Sequence, residues 1–393
     1  MSHQARIEYL KAVMLRYQLS SKKEKSLILN EFCAVCGYSR SYASRILNKE
    51  ISPKLHKRGC KVKYGSEVIK HLIALWELTG RVCSKRMKFA IPLWLPFYDL
   101  EHSLDKKTKQ LLLEISPSTI DRALSKHKKS NMKGISSTKG SSWIKQNIPL
   151  KKLGAKAYKP GFMEVDTVAH CGSSLIGSFV YSLTMTCINS DWTENRAVWT
   201  KDSKKVLEAI KELDRSLPFE MYAYSSDNGN ELLNKHVKNY FENERPGEKV
   251  KPQRGRPYRK NDQCYVEQKN FTHVRNLFGY DRYDDRVLVP LMNEIYRAFW
   301  NPLMNYFTPT MKLKEKKRVG SKIVKTYEKE LKTPAQRLLE SEYITNRDKH
   351  RIKEKLANTN PITLKKMMEE RLKRIQKIID INNLNRRSSD QAS

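Results

Sequence analysis

The sequence predicts an α/β protein: a mixed-sheet core with helices on both faces, preceded by all-α helical units and followed by a basic helical tail. Three observations predict it. Apolar residues recur at helical spacing through residues 1–130. A Lys-, Ser- and Gly-rich break follows, and beyond it the periodicity turns to alternation. The strands there come first as a meander and then alternate with helices, which is the order of a mixed sheet.

The elements follow in order. Residues 1–60 form a first helix-turn-helix domain, with a helix at Lys23 to Cys33, a turn at Gly37, and a helix from Arg40 to Asn48 capped by Ser39. Its outward face carries Arg40, Ser44 and Arg45, side chains able to reach phosphates and base edges in a major groove. Residues 61–130 repeat this logic. A helix spans Val68 to Leu78, Pro92 and Pro96 break the middle, and Thr108 to Glu114 is helical. Ser116-Pro117 starts a further helix presenting Ser118 and Arg122. A basic flexible linker occupies 131–155. The core, 156–311, has strands around Phe162 to Val168, Leu175 to Ile188, Glu194 to Thr200 and Phe219 to Tyr224, with helices at Ser203 to Arg215 and Glu231 to Glu242. The basic helical C-terminal region is 312–393, opening on KLKEKKRVGSKIVK, a run too charged to bury a core of its own.

The charge names a partner class. With 76 Lys+Arg against 42 Asp+Glu in 393 residues, the formal charge is +34, which repels itself in a compact globule unless a polyanion offsets it. Double-stranded DNA is the expected partner and a membrane is excluded: the most apolar stretch, Ile176 to Ile188, is too short and too interrupted by Ser and Thr to span a bilayer. No secretory signal is visible, and seven scattered cysteines read as reduced thiols, so a cytoplasmic, nucleoid-associated location is expected. Cys33 and Cys36, with His56 and Cys60 downstream, have a spacing open to zinc. The first two fall on core and turn positions, where Cys serves as a small hydrophobe, and no zinc is assigned.

Three carboxylates carry the chemistry. Asp166 lies in a strand among apolar residues, where a lone carboxylate is expensive. Asp227 stands just past a strand end, where α/β sheets present ligands. Glu267 sits early in a helix and shares a face with Gln263 and Asn270. Oxygen-only donors select hard cations, Mg²⁺ or Mn²⁺, and two such ions suit in-line phosphoryl displacement. Taken singly, each acid also has a plain structural reading as a turn or surface residue.

The segments PGFMEVDTVAHCG, SSDNGNELLN, RGRPYRKNDQCYVEQKN and NPLMNYFTPTMKL, within residues 160–310, resemble the integrase catalytic core of bacterial insertion-sequence transposases of the DDE class. That family is similar in fold to ribonuclease H and the retroviral integrases. The resemblance implies that Asp166, Asp227 and Glu267 are a catalytic triad holding the metal, in a metal-dependent DNA strand transferase with helix-turn-helix domains ahead of its core. The interval between Asp227 and Glu267 exceeds that of retroviral integrases, which an extended loop would accommodate. The implied activity is binding of terminal inverted repeats, phosphodiester hydrolysis at the element's end and strand transfer into target DNA, by a homo-oligomer that joins two ends. A catalytically inactive DNA-binding regulator is the alternative, and a nuclease acting on RNA:DNA hybrids a third reading. Around the triad, Glu164 is read as a supporting or surface acid rather than a fourth metal ligand, and His170 as a strand-end histidine bonding nearby backbone rather than a proton shuttle. Arg254, Arg256, Arg259 and Lys260 are the core's expected contacts to the DNA backbone.

Overall fold

The computed structural model describes residues 2–48, 63–127, 159–227, 229–255, 263–319 and 322–391. The chain divides into two compact units, Met1–Lys63 and Tyr64–Ser393.

The first unit holds α1 (His3–Leu19), α2 (Lys22–Cys36) and α3 (Arg40–Leu47). Ser21 and Glu24 form a capping box at the start of α2, Gly37 ends it at φ +70°, and the Ser39 hydroxyl accepts the Tyr42 N–H to start α3. Phe32, Cys36, Ala43 and Leu47 make its core, so Cys36 acts as a hydrophobe here. His56 and Cys60 lie outside the described residues.

The second unit opens with α4 (Ser66–Leu78), α5 (Ser84–His102), α6 (Lys106–Glu114) and α7 (Pro117–Leu124). Pro92 and Pro96 do not break the chain as expected; α5 runs through both. They stand one turn apart on the exposed face, so the carbonyls they leave unbonded meet water, while Met87, Ile91, Trp94 and Tyr98 bury the opposite face. Nor do these helices form a unit of their own as the division at 130 expected. Their core is continuous with that of the sheet, and Trp94 Nε1 donates to the Phe307 carbonyl at 3.0 Å. The linker expected at 131–155 lies outside the described residues.

The sheet contains β1 (Phe162–Ala169), β2 (Val180–Cys187), β3 (Thr193–Trp199), β4 (Ala223–Ser226) and β5 (Pro252–Arg254), in the order β3-β2-β1-β4-β5. The meander β1–β3 is antiparallel; β4 adds parallel to β1, and β5 parallel to β4. This is a mixed α/β fold. β2 starts later than expected, because Leu175 and Ile176 are exposed in the loop before it. β4 lies nearer the C-terminus than expected, so that Asp227 follows its last residue directly.

The two faces of the sheet differ. Met163, Val165, Leu183 and Met185 pack with Val206, Ile210 and Leu213 of α8 (Ser203–Ser216). The other face is polar and almost fully buried: Glu164, His170, Ser182, Thr184, Thr186, Thr193, Asn195 and Ser225. It is satisfied in part from within, with His170 Nδ1, Asn195 Oδ1 and Ser225 Oγ left unbonded among the described residues. Thr186 and Thr193 hydroxyls meet at 2.8 Å, and Asn195 donates to Thr184 at 2.9 Å. Over it lie α10 (Cys264–Lys269), continued by a π-helical turn at Asn270–Arg275, then α11 (Leu288–Glu294) and α12 (Asn301–Phe307). Asparagines from these last two helices close the free edge of β3. Asn293 bonds both the N–H and C=O of Ala197, Asn305 both those of Thr193, and Asn301 donates to the Asn195 carbonyl.

Between β4 and β5 the expected helix Glu231–Glu242 begins late, as α9 (Lys235–Asn239), because Asn234 caps it through the His236 and Val237 N–H groups. Glu231 is left outside the helix. The C-terminal region departs from the helical expectation at its start. There, β6 (Leu313–Val319) and β7 (Lys322–Tyr327) pair antiparallel, since β7 is rich in β-branched residues suited to a strand. Helices α13 (Pro334–Glu340), α14 (Asn346–Ala357) and α15 (Pro361–Gln391) complete the chain. Among the described residues no helix is long and apolar enough to cross a membrane.

Candidate active site

β1 carries Asp166 into the middle of the sheet, and the parallel register that pairs Val165 with Ser226 sets Asp227 beside it. Each carboxylate is fixed by a local N–H. Asp166 Oδ1 accepts from Thr167 N at 2.7 Å, and Asp227 Oδ1 from Gly229 N at 2.9 Å. The second turn is tight: a Cβ at 229 would lie 2.9 Å from Asp227 Oδ1 and 3.0 Å from Glu231 Oε2, so a larger residue would push these two carboxylates aside.

Burial raises the pKa of Asp166 to about 7, and the charge of Asp227 adds to the rise. The Thr167 N–H, the Asn270 amide and Lys201 offset it only in part. Asp227 is also raised, by burial first and by the charge of Glu231, against the Gly229 N–H and Lys201. Repulsion between Asp166 and Asp227 is mutual, so the elevated pKa belongs to the pair.

α10 is tied to β1 at two points. Glu164, fully buried two residues before Asp166, accepts the backbone N–H groups of Tyr265 and Val266 at 3.2 and 3.1 Å. Asn270 Nδ2 donates to Asp166 Oδ2 at 2.6 Å. Glu164 therefore seats the helix that bears Glu267. Glu267 itself is exposed, three residues before Asn270 on the same helical face. Among the described residues no three His, Cys, Asp or Glu side chains converge as a group that could hold a metal ion. The side-chain amide of Gln263, one turn before Glu267, is buried with neither polar atom bonded among the described residues.

His170 is fully buried, with Nε2 against Ser182 Oγ at 2.7 Å and its ring packed on Phe278 and Tyr283. Burial pushes its pKa down to about 3, which keeps the imidazole neutral. It makes no proton shuttle at neutral pH.

Two residues at the site were missed in the sequence. Glu231 is 7% exposed, receives a hydrogen bond from Thr167 Oγ1 at 3.4 Å and is ion-paired to Lys201. The acid four places after Asp227 in SSDNGNE was a visible signal for Glu231; nothing local marked Lys201.

Arg40 is exposed and bonds Ser26 and Asn30; Ser44 is half-buried and meets Asn48; exposed Arg45 lies over the Tyr42 ring at 5.2 Å. On α7, Ser118 and Arg122 are exposed, and Arg122 reaches Thr119 Oγ1 at 3.3 Å. Arg254 is half-buried in β5. Arg256, Arg259 and Lys260 fall outside the described residues.

A protein of Sinorhizobium fredii (strain NBRC 101917 / NGR234), described as uncharacterized protein y4rM, is 37% identical over 326 residues, spanning 82% of this chain and 92% of that protein. The chain belongs to that protein's family. No family model matches it. Among solved structures, the catalytic core domain of BIV integrase is similar over 30% of this chain and 68% of that one, with 15% identity and a TM-score of 0.24.

Proposed function

We propose that this protein is a DNA strand transferase of the insertion-sequence transposase type, acting with a hard divalent cation. The observation that carries the reading is the pair Asp166 and Asp227: two partly buried carboxylates on adjacent parallel strands, each raised in pKa. Such a pair fits a divalent cation, because an ion of charge +2 relieves both the burial and the mutual repulsion. Mg²⁺ or Mn²⁺ would be held by Asp166 and Asp227, with Glu267 on α10 proposed as the third acid. When bound, the ion supplies activation of the attacking oxygen and stabilisation of the leaving one.

The chain's own residues do the rest. Glu164 fixes the helix bearing Glu267 against β1, and Asn270 orients the carboxylate of Asp166. Arg40, Ser44 and Arg45 on α3 and Ser118 and Arg122 on α7 are proposed to bind the element's ends, and Arg254, Arg256, Arg259 and Lys260 the DNA backbone near the acids. A charge of +34 supports a duplex DNA partner. Action on two ends at once calls for a homo-oligomer on DNA, in the nucleoid of the cytoplasm.

The test is strand transfer from a DNA end bearing the inverted repeat, with and without Mg²⁺. Asp166→Asn, Asp227→Asn and Glu267→Gln should each abolish joining while end binding in a gel shift is retained. Full joining by any of the three removes that residue from the site. A wild-type chain that binds DNA ends but never joins them favours the inactive regulator.

A further inference from the structure

Lys201 reaches the acid cluster through a bend that few residues would tolerate. β3 ends at Trp199, and Thr200 then adopts φ +61°. A β-branched residue in the left-handed region is strained and persists only where its surroundings hold it. Here the Thr200 N–H is bound to the Phe179 carbonyl at 3.2 Å. The bend delivers Lys201 to the site. Its ammonium is ion-paired with Glu231 Oε1 and lies 5.3 Å from the centre of the Tyr181 ring. Glu231 is held in turn by the Thr167 hydroxyl, next in sequence to Asp166, and its other oxygen crowds Gly229 beside Asp227. The positive charge of Lys201 is felt by both Asp166 and Asp227. Three acids and one lysine thus occupy one end of β1 and β4, with the lysine latched to the acid outside the pair.

We propose that Lys201 is a positioning residue of this site: latched by Glu231, its ammonium serves as the built-in counter-ion of the Asp166–Asp227 pair and sets how tightly that pair grips a divalent cation. The inference rests on the reading that the pair holds such a cation. A fixed positive charge beside the pair keeps the two carboxylates together when no ion is bound and opposes an incoming ion by direct repulsion. Glu231 keeps the ammonium to one side. Without that latch the ammonium would swing onto the carboxylates and compete for them.

Titration of the full-length chain with Mn²⁺ at pH 8, following free Mn²⁺ by electron paramagnetic resonance, reads this directly without any turnover. Lys201→Met should tighten Mn²⁺ binding about tenfold, and Lys201→Arg should stay near wild type, because the charge is what acts. Glu231→Gln should loosen binding about tenfold, and that loosening should shrink when Lys201→Met is also present. Thermal unfolding identifies any variant that fails to fold; if Lys201→Met does, the comparison of Lys201→Arg, Glu231→Gln and the double variant still decides. Mn²⁺ affinity unchanged or weakened in Lys201→Met, or a Glu231→Gln effect independent of residue 201, overturns the counter-ion role while leaving the cation site intact. A wild-type chain that binds no Mn²⁺ overturns the functional reading and this inference together.

Discussion

Replacing Asp166 with Asn should make the cation-free protein more stable at alkaline pH. The side chain keeps its shape and an oxygen for the Thr167 N–H, and its new amide NH2 can donate to Asn270 once that amide turns to present its unbonded Oδ1, while the charge that burial and Asp227 disfavour is lost. Its pKa of about 7 in the folded chain against a usual 3.8 is a difference of about 3 units, a ceiling of roughly 4 kcal/mol. Partial solvent contact screens this, leaving about 2–4 kcal/mol. The sign follows from proton uptake. Between pH 4 and 7 the folded wild type holds a proton that the unfolded chain has released, so its stability falls as pH rises across that window and is level above it. Below about pH 4 both states are protonated and the penalty vanishes. Urea unfolding at pH 4, 6 and 8 in a chelator should therefore show Asp166→Asn equal to wild type at the lowest pH and ahead by about 2–4 kcal/mol at the highest. Saturating Mg²⁺ should shrink or reverse that lead, since an ion gripped by the ionised pair favours wild type. A variant no more stable at pH 8, or stabilised equally at every pH, would refute the account of two carboxylates crowded together.

Three further outcomes are expected. Glu164→Ala leaves the Tyr265 and Val266 N–H groups without their carboxylate and should cost about 2–5 kcal/mol, with faster hydrogen exchange at those two amides; unaltered exchange would mean that Glu164 does not seat α10. His170→Gln should flatten the acid limb of stability. The buried imidazole, lowered to about 3, resists the proton that the unfolded chain takes up below its usual pKa, so wild type loses up to about 5 kcal/mol as pH falls from 6.5 towards 3. An acid limb identical in both proteins in urea titrations would contradict that burial. Asn305→Leu strips both backbone groups of Thr193 of their partners and should lower stability by about 2–4 kcal/mol; an unshifted urea midpoint would show that water substitutes freely.

Much of this architecture was legible because it rests on local signals. Ser39 and Ser116 are caps whose side chains accept helix N–H groups, and the alternation in Phe162–Ala169 marks β1 from its own residues. Asp166 and Asp227 could be paired on paper since one lies in a strand and the other just after the next parallel one. What stayed hidden depends on contacts distant in sequence. Pro92 and Pro96 read as breakers until the burial of the opposite face of α5 is known. Arg-and-Lys-rich β6 and β7 read as tail because charge masks strand pattern. Glu164 pairs with amides 101 and 102 residues away, and Lys201 with an acid beyond another helix and strand, so neither role has a local signature.

The asparagines lining β3 decide how copies of this protein can meet. A border strand with bare amides and carbonyls invites a second molecule to extend the sheet. Here carboxamides of Asn293, Asn301 and Asn305 occupy those sites, acting as a mimic of one more strand built from helical side chains. Joining through β3 is thereby closed off, so a second molecule could not lengthen the sheet along this border.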